Sequence, residues 1–283
     1  MKLKNDIIII LKGFLMGICD IIPGISGGTI ALITGIYQDF IESVKNINYK
    51  NIKQTLTKNF LKKIKEYKFD FLLKVLFGIL SAIILVSKLI KYLLENEQIY
   101  TLSFFVGLIL ASSIFILKEI KDKKITNKLF IIFGIIFAFI ISQITPTNVV
   151  NPTYFYIFLS GVLGISAMFL PGISGAFILL ILGTYQYIIS ALHNFQIKEL
   201  AIFGIGVISG AVIISRIIHF LFKKFKNQTL YFLFGLVLGA LIIPSKIILN
   251  NFKNSNIYLT FLFIIIGFLI VFLLEKIGNK KLK

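Results

Sequence analysis

Apolar residues fall in ten runs, at 7–22, 25–37, 71–94, 102–117, 129–144, 154–170, 173–192, 200–222, 230–243 and 257–274. Most approach the length of about 20 residues that a helix needs to cross a hydrocarbon core of about 30 Å. They predict membrane-spanning α-helices joined by short polar turns. The first two runs are too short to span separately, and Pro23-Gly24 parts them. Pro171-Gly172 interrupts the sixth and seventh runs in the same way. Proline removes a backbone donor and clashes with the preceding turn, so each pair is predicted to be a broken helical hairpin.

The breaks belong to an internal repeat. Residues 13–38 read GFLMGICDIIPGISGGTIALITGIYQ and residues 161–186 read GVLGISAMFLPGISGAFILLILGTYQ, identical through PGISG at an offset of 148. Further along, the offset becomes 128: Gly78, Ser81, Ser87, Lys88 and Tyr92 meet Gly206, Ser209, Ser215, Arg216 and Phe220, and Gly107 meets Gly235. The 20-residue difference is extra length in the segment 39–70. The chain therefore reads as a single transmembrane domain over 1–283, built of pseudo-repeats 1–145 and 146–283.

Composition agrees with that reading: 57% of residues are apolar, 15% are charged, and mean hydropathy is +0.93. A soluble domain carries nearer a quarter charged residues. The net charge of +18 would suggest nucleic acid in a soluble protein, but the basic residues lie between apolar runs and no nucleic-acid motif occurs. They point instead to anionic lipid headgroups and to orientation. Eight lysines fall in 39–70, five in 118–128, three in 223–226 and four after Leu274, whereas 95–100 holds two acids and 145–153 no charge. Putting every lysine-rich loop inside requires an even number of crossings in each broken pair. Three ordinary spans follow each pair, so the second repeat is inverted relative to the first and both termini are cytoplasmic. The fold expected is all-α and polytopic: two inverted repeats, each a Pro-Gly-broken hairpin followed by three transmembrane helices. Within the basic cytoplasmic loop 39–70, Ile52, Leu56, Phe60, Ile64 and Tyr67 share one helical side among lysines, the pattern of a helix lying on the inner leaflet.

Inverted repeats with interrupted helices place a transporter's site near the midplane, where broken helix ends supply dipoles and backbone groups. In PGISG, proline ends one helix, glycine permits close backbone approach, and Ser26 or Ser174 can cap the next helix. N–H groups at such a start attract anions, phosphate above all. The spacings Gly13/Gly17, Gly206/Gly210 and Gly235/Gly239 read as helix packing. Lys88 and Arg216 occupy equivalent positions as cations for phosphate at opposite faces, with snorkelling to the interface as the other reading. Asp20, three residues before Pro23, is an acid that caps, pairs with a base or carries a proton; its repeat partner is Met168. Cys19 is the one cysteine, and His193 and His219 have no carboxylate spacing, so neither a disulfide, a metal nor another cofactor is expected. No nucleophile motif points to catalysis.

Met16–Tyr37 (MGICDIIPGISGGTIALITGIY) and Phe169–Gln186 (FLPGISGAFILLILGTYQ) resemble a bacterial membrane family associated with polyprenyl-phosphate (undecaprenyl-phosphate) translocation. The resemblance implies a plasma-membrane protein that returns the lipid carrier phosphate from the outer to the inner leaflet for reuse in envelope synthesis. On that reading the motif residues Asp20, Pro23, Gly24, Ser26, Gly27, Gly28, Thr29, Pro171, Gly172, Ser174 and Gly175, together with Lys88 and Arg216, are the substrate-binding candidates. Two alternatives belong to other classes. An undecaprenyl-pyrophosphate phosphatase also uses a Pro-Gly-x-Ser loop, but with Arg after Ser and Glu-rich partners, where this chain has Gly27 and Gly175. An ion-coupled transporter of a small anion would need a more polar pathway than these Ile/Phe/Leu runs offer.

Overall fold

The computed structural model describes residues 2–21, 26–56, 60–120, 124–145, 149–251 and 256–279. Pro23 and Gly24 lie outside them. All regular structure among the described residues is α-helical, as the sequence predicts. The first half runs α1 (Lys2–Ile21), α2 (Gly27–Ile33), α3 (Tyr37–Lys45), α4 (Tyr49–Leu56), α5 (Phe60–Glu66), α6 (Phe69–Asn96), α7 (Gln98–Glu119) and α8 (Ile125–Gln143). The second runs α9 (Tyr154–Phe169), α10 (Gly175–Ile181), α11 (Tyr185–His193), α12 (Ile197–Lys224), α13 (Lys226–Gly239), α14 (Ile242–Asn250) and α15 (Ile257–Asn279). Among the described residues five helical stretches, α6, α7, α8, α12 and α13 with α14, are long and apolar enough to cross a membrane, and α10 with α11 is an apolar pair bent by 109°, the form of a broken span or a re-entrant loop. This is a polytopic membrane protein.

Packing repeats between the halves. The most extensive helix pairs are α1 with α6 and α9 with α12, then α7 with α15 and α8 with α13. Glycines set these crossings by letting backbones touch. A Cβ on Gly17 would stand 2.6 Å from the Ile79 carbonyl oxygen, and one on Gly210 would stand 2.6 Å from that of Val162. Gly107 faces Ile264 while its repeat partner Gly235 faces Ile131, and Gly134 and Gly267 face Phe232 and Phe104 in turn. The last pairing reveals a register of 133 between α8 and α15, hidden in the sequence because only one glycine marks it.

The run 230–243 is not one helix. It divides after Gly239, and Pro244 in the first turn of α14 cannot donate to Ala240, its partner four residues back. The helices α7 and α13 form the centre, with Ile109, Ala111, Leu230, Leu236 and Val237 buried. The outward faces of α6, α8, α12 and α15 are apolar and exposed, as at Leu80, Phe133, Ile208 and Phe261, which suits a lipid surround.

Among the described residues the helices of the segment 39–70 are α3, α4, α5 and the start of α6, and the surface helix expected around 52–67 includes residues 57–59, which lie outside them. α3 belongs to the bundle, whereas Leu56 of α4 and Leu61 of α5 remain exposed. Lys68, in the left-handed region at φ 59°, ties α3 to α6 through Asp39 at 2.6 Å and Glu42 at 2.5 Å. The Lys68 hydrogen bond holds the Glu42 carboxyl below the usual range. Its stabilisation is present above the ordinary value of about 4.3 and lost as pH falls through the lowered one. Lys68→Gln is therefore expected to lower the melting temperature at about pH 7 and leave it unchanged at about pH 2. Equal losses at both would remove the ion pair from the explanation.

Candidate functional site

Both short helices begin on the serine of PGISG. Ser26 is extended (φ −126°, ψ 132°), and its hydroxyl oxygen accepts from Gly28 N at 3.1 Å. Ser174 (φ −89°, ψ 125°) accepts from Phe177 N at 3.4 Å. Each helix ends with a glycine in the left-handed region, Gly35 at φ 71° and Gly183 at φ 70°. In both, the glycine N–H returns to a carbonyl three residues back (Leu32, Leu180) and the following N–H to one five back (Ala31, Leu179). This paired closure terminates a helix without a side chain. Similar local sequence thus yields a serine cap at both starts, two residues on at Ser26 and three on at Ser174, and the same closure at both ends.

Tertiary structure brings the two motifs into direct contact. The Ser26 hydroxyl lies 3.2 Å from the Met168 carbonyl oxygen and 3.4 Å from that of Leu170. Gly172 N donates to Thr29 Oγ1 at 2.9 Å, and Tyr37 OH donates to the Phe169 carbonyl at 2.9 Å. Ser26, Thr29 and Ser174 are all buried. Ser26, Thr29, Gly172 and Tyr37 therefore form one polar junction between halves more than 130 residues apart in sequence. Tyr37 was absent from the sequence candidates; its recurrence as Tyr185 was the available signal.

Gly27 N donates to Asp20 Oδ1 at 2.7 Å, so Asp20 caps α2 from the end of α1. A Cβ on Gly27 would stand 2.5 Å from the other Asp20 oxygen, which explains the glycine there. Gly28 N goes to Ser26 Oγ and Thr29 N to the Ser26 carbonyl, so the first N–H groups of α2 are satisfied within the chain. At the second loop Met168 stands in place of Asp20. There a crevice of about 20 Å³, room for about one water, opens beside Gly172, Ser174 and Phe177. Ala138 and Ser142 of α8, with Gly239 and Ile243, form its other wall. Pro171 and Gly175 flank the same turn and are buried.

Lys88 and Arg216 are not brought to this junction. Lys88 is exposed on α6 among Ile84, Leu85 and Leu89, and Arg216 on α12 among Ile213, Ile217 and Phe220. The cation that does reach the first hairpin is Lys12, which sequence reasoning missed. Its Nζ donates to the Thr34 carbonyl at 2.5 Å, at the C-terminal end of α2. A lysine inside the apolar first run was the overlooked sign. At the far end of α3, Lys45 Nζ lies 3.0 Å from His219 Nε2 on α12. No cluster of His, Cys, Asp and Glu able to hold a metal occurs among the described residues.

Residues 16–258 match the family described as VCA0040-like, undecaprenyl phosphate translocase-like. The chain is 40% identical over 257 residues to a polyprenyl-phosphate transporter of Vibrio cholerae serotype O1, covering 90% of this chain and 83% of that protein. It is 32% identical over 290 residues to a polyprenyl-phosphate transporter of Staphylococcus aureus, covering 95% of each. No solved structure matches the chain. With its paired loops and nearly the whole length matched, the chain belongs to the undecaprenyl phosphate translocase-like family.

Proposed function

We propose that this protein carries polyprenyl phosphate, in particular undecaprenyl phosphate, from the outer to the inner leaflet of the bacterial plasma membrane, for reuse in envelope synthesis. The observation that carries the reading is the junction of the two PGISG loops, where hydroxyls and backbone groups of both halves meet inside an apolar bundle. A phosphate headgroup needs such a polar place to cross hydrocarbon, because a bare charge in lipid is costly. The isoprenoid tail needs only lipid, and the crevice beside Ser174 lies between apolar helices. Asp20, Ser26, Gly27, Gly28, Thr29, Pro171, Gly172, Ser174 and Gly175, with Pro23 and Gly24, make up the loops that the headgroup passes.

Lys88 and Arg216 serve in this scheme at the flanks, drawing the headgroup from the bilayer towards the bundle. Each replacement, Lys88→Gln and Arg216→Gln, is expected to slow transport at low lipid concentration and spare folding. Unchanged initial rates from both sides would assign both residues to snorkelling. The two repeats lie inverted in the membrane, with lysine-rich loops and both termini cytoplasmic and with anionic lipids as the surface they meet. Tags in 39–70 and 118–128 are expected inside and a tag in 145–153 outside. An external signal from 223–227 would overturn the arrangement.

The functional test is leaflet-resolved movement of labelled undecaprenyl phosphate in proteoliposomes. Protein-dependent movement is expected, with no release of inorganic phosphate. Phosphate release from undecaprenyl pyrophosphate would support the phosphatase reading, and uptake of a soluble anion with no lipid movement would support ion-coupled transport.

A further inference from the structure

The two hairpins match in sequence but not in packing. In α2, Gly27, Gly28, Thr29, Ile30, Ala31 and Leu32 are all buried, whereas in α10 only Gly175 is. α3 packs across the repeat boundary onto α12, whereas α11 packs on α10 and α12 of its own half. Val44 of α3 is 5% exposed, and its repeat partner Leu192 is 52% exposed. The Tyr37 hydroxyl is bonded to Phe169, while that of Tyr185 meets no partner among the described residues.

The two hairpins also differ in the charges that the preceding helix supplies. α1 presents Asp20 to the N–H end of α2 and Lys12 to its carbonyl end, two opposite charges at the two complementary ends of one seven-residue helix. In the second half Met168 replaces Asp20, and Ser160 replaces Lys12 and bonds back to Tyr156 of its own helix at 2.8 Å. The neutral Tyr156 hydroxyl alone holds the Leu182 carbonyl, at 2.9 Å. The crevice lies at the start of this looser hairpin, against Gly172, Ser174 and Phe177, and the hairpin bends at Gly183, with φ 70°. Buried Thr184, next to Gly183, has a hydroxyl with no hydrogen-bond partner.

We propose that the duplicated hairpins divide the work. Lys12 and Asp20 are positioning residues that clamp α2 and α3 as a fixed wall, and α10 with α11 is the part that moves to admit and pass the phosphate headgroup. The division rests on the transport reading above, but it concerns which element moves and has its own measurement.

Gln38 and Gln186 occupy equivalent, exposed repeat positions on α3 and α11. Each is replaced by cysteine for spin labelling, together with Lys128→Cys on α8, in a Cys19→Ala background in nanodiscs. The 186–128 distance distribution is expected to be broad or two-peaked and to redistribute when undecaprenyl phosphate is added. The 38–128 distribution is expected to stay narrow and unchanged. Adding Lys12→Met or Asp20→Asn is expected to broaden the 38–128 distribution and leave the 186–128 one as it was, a readout that general destabilisation would not produce. Movement at 38, equal movement at both, or movement at neither overturns the proposal. A 186–128 redistribution in protein that moves no lipid between leaflets would leave the moving hairpin standing and overturn the transport reading instead.

Discussion

Gly107→Val is expected to abolish assembly of folded protein, read as loss of the monodisperse peak in detergent and of a cooperative thermal transition. The added side chain would land on the Ile264 carbonyl of α15, which is backbone inside a helix and cannot rotate away. Overpacking a core costs about 1–3 kcal/mol and more when nothing can shift, against a total stability of about 5–15 kcal/mol. Gly204→Val is the control, because nothing lies within 4 Å of its added Cβ. A wild-type melting temperature for Gly107→Val would show that α7 and α15 do not need their close approach.

Gly172→Ala is expected to cut lipid-phosphate transport at least about tenfold while the protein still inserts. Its φ of 87° is a conformation that side chains resist, and the added Cβ would stand 2.5 Å from the Leu236 carbonyl oxygen. Strain of this kind costs about 1–3 kcal/mol, and the Gly172 N–H bond to Thr29 would be displaced with it. Gly35→Ala separates the two causes: φ is 71° there, but the space around the Cβ is open. It is expected to lose stability by strain alone and to keep more transport than Gly172→Ala. Equal rates for the two variants would remove the loop junction from the mechanism.

Much of this fold was legible because its determinants are local. Apolar runs of spanning length announce helices wherever they occur, and the corresponding α6, α7, α8, α12 and α15 are present. The repeat at 148 residues carries a serine start in PGISG and a glycine ending at Gly35 and Gly183, so the two short helices begin on a serine cap and close alike. GxxxG spacings reported close helix approach correctly at Gly13/Gly17 and Gly206/Gly210. The division of α13 from α14 after Gly239 was readable in principle, since Pro244 lacks the N–H that would reach back to Ala240.

What the residues determine by themselves, then, is element type, where helices break, and which glycines and serines shape the turns. Those properties depend on neighbours within about one helical turn. Tertiary structure alone decided that Ser26 and Thr29 reach the second loop, that Asp20 caps α2 with a bond to Gly27, and that Lys12 closes the other end of the same helix. It also decided that Lys88 and Arg216 stand apart on the apolar flanks, although their repeat positions suggested a shared role. The reason is physical. A buried polar group must find a partner, and helix crossings set which partners lie within about 3 Å. Two identical motifs can therefore differ in environment wherever α1 carries charges that α9 lacks.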